Sequence, residues 1–217
     1  MIVLDPAHGG IDTGARGENG IVEKDIVLAI ARTLRAELER QGFRVVLTRE
    51  ADTDPSYDDR AAAANAYRYA ILISLHIAST GKPGTVRAYY EQFSTPLPPP
   101  ASPAASPAAA QARSATPPPA SLLPWHEAQQ PSVAASRHLA EILQLELARS
   151  FAGSPAQPTG AAVRELRSVA GPAVAVEISS VSVSNAEMLT GMAAPLALAI
   201  GRSVDAYRAG SVAVPKS

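Results

Sequence analysis

The sequence predicts an α/β fold, a single domain in which helices flank a mainly parallel β-sheet. Three observations carry that reading. Short apolar runs alternate along the chain with longer segments of helical periodicity. One of the runs, Ala70 to Leu75, is apolar without interruption, as a strand covered on both faces must be. The length, 217 residues, suits one domain that buries roughly 70% of its unfolded surface.

The elements follow in order. Ile2 to Asp5 is a short apolar strand closed by a His-Gly-Gly turn. Met1-Ile2-Val3-Leu4 therefore reads as the start of the fold. A signal peptide would instead place a basic segment before a longer hydrophobic stretch. From Lys24 to Gln41 apolar residues recur at Ile26, Ala29, Ile30, Leu34 and Leu38, one face of an amphipathic helix. Gly42 ends it, at the position where a left-handed cap is required. Phe43 to Thr48 is a second strand and the Ala-rich stretch Tyr57 to Tyr69 a second helix. After the buried strand, Thr85 to Glu91 alternates as a more exposed strand does. Ser132 to Ser150 is helical through Val133, Leu139, Ile142, Leu143 and Leu147. Ala161 to Leu166 and Ala173 to Ile178 read as strands. Ala186 to Tyr207 is helical, with Pro195 expected to kink or split it. The domain is thus expected to span residues 1–209, with 210–217 as a tail.

Of the 19 prolines, eleven lie between Pro96 and Pro131. This Pro/Ala/Ser-rich stretch, about residues 94–131, has almost no charge and few large apolar residues, so burial cannot offset its ordering entropy. It is expected to be an extended or disordered insertion in the domain. The sharper alternative is a polyproline segment that binds a partner or a protein activator. Leu122, Leu123 and Trp125 near its end are placed to dock back on the domain.

Composition excludes several classes. Lys plus Arg number 19 against 20 Asp plus Glu, and a chain of net charge −1 without a basic stripe lacks the field of a nucleic-acid binder. With no cysteine, there is no disulfide framework, and any metal site must be built from His and carboxylate. No apolar run approaches the roughly 18 residues of a membrane span. The glycine loop at His8 lacks the Lys-Ser/Thr ending of a phosphate-binding loop. No Gly-x-Ser-x-Gly elbow accompanies the serines.

In open α/β sheets, ligands bind beyond the carboxyl ends of the strands. His8 follows the first strand, His76 follows Ala70–Leu75, and Glu177 ends Ala173–Ile178. The chain has only four histidines, so two at strand ends is more than a scatter. A lone histidine in a loop is ordinarily a solvated or hydrogen-bonded structural residue. Two at adjacent strand ends point to shared ligation of a metal. Neutral imidazole suits zinc, and a carboxylate completes the set. By position the best third ligand is Glu23, at the mouth of the first helix; an acidic residue favouring the helix N-terminus is a common arrangement and by itself an adequate account of it. Glu177 is costly to bury unless it is paired, protonated or functional. A salt bridge to Arg164 or Arg167 is one reading of it, and a general base beside a metal is the other. His126, in the Pro-rich stretch, and His138, on a surface helix, are assigned no role.

The residues Asp5-Pro6-Ala7-His8-Gly9-Gly10-Ile11-Asp12-Thr13-Gly14-Ala15 resemble the opening motif of the zinc-dependent N-acetylmuramoyl-L-alanine amidases of the amidase-3 type. The likeness continues through Glu23-Lys24-Asp25, Leu47-Thr48-Arg49, Arg60, Ser74-Leu75-His76, Leu166-Arg167, Pro172-Ala173-Val174 and Val176-Glu177-Ile178. The resemblance implies a twisted six-stranded sheet flanked by helices, phosphorylase/hydrolase-like. It implies one zinc ion held by His8, Glu23 and His76, with Glu177 as the catalytic carboxylate. It also implies a substrate, peptidoglycan, cut between N-acetylmuramic acid and L-alanine of the stem peptide. A periplasmic or extracellular location would follow from that substrate. Three places depart from the family pattern: Ala7 stands before the first histidine, Ile77-Ala78 follow the second, and Ser179-Ser180 follow Glu177-Ile178. They leave open a peptidase or amidase of the same fold with another substrate, or a non-catalytic peptidoglycan-binding module.

Overall fold

The computed structural model describes residues 1–17, 20–93 and 123–212. Six strands form one sheet: β1 (Ile2–Pro6), β2 (Val45–Leu47), β3 (Ile71–Ala78), β4 (Val86–Glu91), β5 (Thr159–Ala161) and β6 (Ala173–Ser179). Their spatial order is β2-β1-β3-β6-β4-β5, and every neighbouring pair is parallel except β4 with β6. Among the described residues five α-helices accompany them: α1 (Glu23–Arg40), α2 (Tyr57–Asn65), α3 (Val133–Ser150), α4 (Glu187–Thr190) and α5 (Ala193–Val212). This is the α/β class expected from the alternation of strand and helix.

The two faces of the sheet are covered unequally. Side chains alternate along a strand, so Ile2 and Leu4 of β1 point to one face and Val3 to the other. On the first face Ile2, Leu4, Ile71, Ile73, Leu75, Val174 and Val176 pack under α1, α3 and α5, forming the larger core. Among the described residues, Val3, Leu72, Ala173 and Ala175 on the second face pack with the short α2, through Ala61 and Ala64, and with the segment around Leu166 and Val169. Continuing the alternation, Asp5, Ser74, His76 and Glu177 fall on this thinly covered face. The polar ends of three strands thus project where little helix covers them.

Several boundaries differ from expectation, each for a local reason. The segment read as a strand over Ala161–Leu166 pairs only through Ala161, and Arg164–Leu166 is a 3-10 turn. The second helix stops at Asn65, short of Tyr69, which has φ 63. Pro195 neither kinks nor breaks a helix. It lies in the first turn of α5, where backbone N–H groups have no intrahelical partner, and the break comes before it, at Gly191–Met192. That helix runs on to Val212, past the expected start of the tail at 210.

The Pro-rich insertion lies outside the described residues up to 122, and with it the expectation of a partner or activator there. From Trp125 onward the chain is folded in two 3-10 turns, although composition places the insertion boundary at 131. Gln129 is the reason. Its buried amide donates to the carbonyls of Val169 and Gly171 and accepts from Ser136 Oγ, tying the segment to the entry of β6. Trp125 does dock back: its indole N–H donates to Asp58 Oδ1 at 2.8 Å.

Candidate metal centre and active site

Three turns of chain converge at the carboxyl ends of β1 and β3. His8 leaves β1 in a left-handed conformation, φ 61, which is uncommon for a residue with a side chain. Two buried arginines hold that turn by its carbonyls. Arg49 donates to the oxygens of Pro6 and Ala7 at 2.8 and 2.9 Å. Arg60 donates to those of Pro6 and His8 at 2.9 and 2.8 Å, and pairs with Asp5 Oδ1 at 2.7 Å. Thr48 and Ser74 complete the hydrogen bonding of Asp5. Four hydrogen bonds from two guanidinium groups thus fix a backbone that the His-Gly-Gly sequence alone would leave free.

Glu23 opens α1 and is 4% exposed. Its Oε1 lies 3.2 Å from His8 Nε2 and 3.2 Å from His76 Nδ1. Backbone donors fix both oxygens, Ile77 N–H on Oε1 at 2.9 Å and Ala15 N–H on Oε2 at 2.7 Å. Burial by itself would raise the Glu23 pKa. The hydrogen bonds from His76, His8 and Ala15 override it and hold the carboxyl well below the usual carboxylate range. In the reverse sense, burial disfavours a charged His76, but Glu165 and Glu23 outweigh it and push its pKa up to about 10. His8 is raised as well, chiefly by its hydrogen bond to Glu23. The site is therefore an anionic carboxylate between two rings with their nitrogens turned to it.

His8, Glu23 and His76 each offer a ligand atom, all within 4.8 Å of one another. Two imidazoles and one carboxylate form a donor set suited to a divalent transition metal, zinc above all. The 3.2 Å separations match the roughly 3.3 Å between ligand atoms around a tetrahedral ion bound at about 2.0–2.1 Å. Gly14 shapes the same space: a Cβ there would meet Glu23 Oε2 at 2.5 Å and His8 Cδ2 at 2.6 Å.

Glu177 stands beside this cluster, because His76 of β3 and Glu177 of β6 are register partners in the parallel ladder. Its partner is neither Arg164 nor Arg167. The Tyr89 hydroxyl of β4 donates to Glu177 Oε1 at 3.1 Å, Arg167 pairs with Glu91 at 3.0 Å, and Arg164 lies over the Tyr57 ring. His126 is an exposed neighbour of Glu127 and His138 packs near Tyr207, both away from the cluster.

The cluster opens onto a cleft of 330 Å³ lined by His8, Tyr57, Arg60, His76 and Glu165 among others. An adjoining groove of 400 Å³ shares His76 and Glu165 and adds Tyr89 and Glu177. Two contributors are not evident in the sequence, Tyr89 and Glu165, and the clamping role of Arg49 and Arg60 is not evident either, although both arginines belong to the family likeness. An acidic residue between apolar Val163 and Leu166 is a signal for Glu165, though it names no partner. The likeness names the two arginines without a role, and the role becomes visible once Asp5 is seen to be buried.

Comparison with known proteins identifies the family and the fold. The family model described as N-acetylmuramoyl-L-alanine amidase, Amidase_3, matches residues 2–200. AmiA of Escherichia coli is 46% identical over 76 residues, covering 35% of this chain and 26% of AmiA. The sporulation-specific amidase of Bacillus subtilis is 39% identical over 97 residues, 44% of this chain and 38% of its own length. This chain thus spans well under half of either relative. Among solved structures, amidase AmiC2 of Nostoc punctiforme superposes with a TM-score of 0.66 at 23% identity, covering 96% of both chains. An amidase from Clostridium difficile 630 gives 0.67 at 22% identity, again with 96% of both. With its fold shared by these structures and the family match running over residues 2–200, the chain belongs to the N-acetylmuramoyl-L-alanine amidase family.

Proposed function

We propose that this protein hydrolyses the amide between the lactyl group of N-acetylmuramic acid and the L-alanine of the peptidoglycan stem peptide. In this reading His8, Glu23 and His76 hold one zinc ion, and Glu177 is the catalytic carboxylate. The observation that carries it is the convergence of those three donors with Glu177 in the adjacent register position of β6, in a member of this family. Bound zinc supplies a Lewis acid that polarises a carbonyl and acidifies water. Glu177 accepts the proton of the attacking water and returns it to the leaving amine. Tyr89 holds Glu177 Oε1, so the carboxylate meets the cleft in one orientation. Arg49 and Arg60 keep the His8 turn from relaxing. Because peptidoglycan lies outside the cytoplasmic membrane, the proposed site of action is periplasmic or extracellular. Among the described residues no helix is long and apolar enough to cross a membrane.

The test is mass spectrometry of a purified muropeptide incubated with the zinc-loaded protein and, in parallel, with a chelated sample. Separate sugar and an L-alanine-led peptide should appear only with zinc. Glu177→Gln should retain zinc and lose roughly 10²–10⁴-fold in rate. An intact muropeptide in the presence of zinc-bound protein would overturn the proposal.

A further inference from the structure

One acidic side chain at the cleft has no part in the chemistry just described. Glu165 lies in the 3-10 turn Arg164–Leu166 and its side chain is only 15% exposed. The neighbouring Leu166 is fully buried and anchors the turn in the smaller core. Glu165 Oε1 approaches His76 Nε2 to 2.9 Å. That is the nitrogen opposite the one facing Glu23, since Nδ1 is the atom 3.2 Å from Glu23 Oε1. The two edges of the His76 ring therefore have separate carboxylate partners, one inside the donor cluster and one behind it.

Resting on the metal-binding reading above, we propose that Glu165 is the positioning carboxylate of a Glu165–His76–metal triad. By accepting the Nε2–H hydrogen bond, it fixes the tautomer that leaves the Nδ1 lone pair for the metal, sets the plane of the ring, and makes the imidazole a stronger donor. The competing acceptor for Nε2–H is Ser74 Oγ, at 3.4 Å, and its own proton is committed to Asp5 Oδ2 at 2.9 Å. Glu165 has the shorter and charged contact, so it dominates. It is not itself one of the clustered donors: the atoms within 4.8 Å of one another belong to His8, Glu23 and His76. His8 has a similar arrangement, with Asp12 Oδ2 at 2.8 Å from Nδ1, but the Asp12 side chain is 50% exposed. Water competes more for the Asp12 contact than for that of Glu165, whose side chain is 15% exposed at the edge of the cleft.

The experiment measures zinc dissociation constants by competition with a chromophoric chelator for the wild-type protein, Glu165→Gln and Glu165→Leu. Metal-free unfolding curves of all three establish that the variants are folded. Glu165→Leu should bind zinc about 10–100-fold more weakly. Glu165→Gln keeps an acceptor without the charge, so it should recover part of that loss. The visible spectrum of the cobalt-substituted Glu165→Leu protein should keep the intensity of the wild-type coordination number and shift only slightly, because the ligands themselves are intact while one imidazole is a weaker donor. Unchanged zinc affinity in a folded Glu165→Leu would overturn the triad. So would a cobalt spectrum altered in the manner of Glu23→Gln, which would make Glu165 a ligand. A wild-type protein that binds no zinc would refute the underlying metal assignment as well, so the two failures are distinguishable.

Discussion

A Cβ on Gly14 would intrude within 2.6 Å of both Glu23 and His8, and the backbone there has φ +61. Two penalties therefore fall on Gly14→Ala: the left-handed conformation, about 1–2 kcal/mol, and displacement of two proposed metal ligands. Gly20 separates them, since its φ is +74 with nothing within 4 Å of a Cβ. Calorimetric zinc titration should show Gly14→Ala losing tenfold or more in affinity, about 1.4 kcal/mol, and Gly20→Ala nearly none. Equal effects would mean that the Gly14 contact is irrelevant to the ligands. At Arg60 the argument concerns burial. The Arg60–Asp5 pair is 5% and 2% exposed by side chain, so removing the cation strands a carboxylate that water cannot reach. Arg60→Met should cost about 3–5 kcal/mol in urea unfolding. Adding Asp5→Asn should restore part of it, because the stranded charge is then gone.

At the scale of elements, the sequence was most legible where local chemistry decides the structure. Gly42 has φ +90 and ends α1 with the paired bonds of a Schellman cap, Phe43 N–H to Leu38 O and Gly42 N–H to Glu39 O. No atom lies within 4 Å of a Cβ at Gly42, so Gly42→Ala should cost only the left-handed strain, about 1 kcal/mol, and leave zinc affinity untouched. A loss several times larger in chemical denaturation would reveal a packing role that the structure does not contain. The least legible element is the turn that carries Glu165. Val163-Arg164-Glu165-Leu166 alternates as a strand would, yet the carboxylate of Glu91 accepts from the Val163 N–H and from Arg167, and the chain folds into a 3-10 turn. Glu91 is 72 and 76 residues away from those partners. No local pattern records such a pairing, and for the same reason Tyr89 could not be matched to Glu177, 88 residues on. His8, His76 and Glu177 could be placed together because strand ends in a parallel sheet are neighbours whatever the intervening length.

Across the whole molecule the unequal covering of the sheet links stability to the site. Among the described residues, three long helices close one face, while the face bearing His76 and Glu177 carries the nine-residue α2 and a 3-10 turn. Carboxylate–imidazole contacts and two arginines hold the His8 loop to the start of α1 and the end of β3, beside the anchor that buried Ile21 makes in the larger core. An ion bound by His8, Glu23 and His76 would join those three segments directly and would bind the folded chain alone, because the ligands are distant in sequence. Free zinc at 100 times its dissociation constant should then stabilise the protein by about 2.7 kcal/mol, or roughly 5–10 °C in Tm for a chain of this size. Thermal unfolding with zinc, with chelator and with magnesium measures this. Zinc should raise Tm, chelator should remove the gain, and magnesium, which prefers an oxygen shell, should give none. His76→Ala should unfold at the same temperature with zinc and with chelator. A zinc-induced gain that survives in His76→Ala would place the stabilising ion elsewhere on the protein, and the open face of the sheet would then owe nothing to a metal.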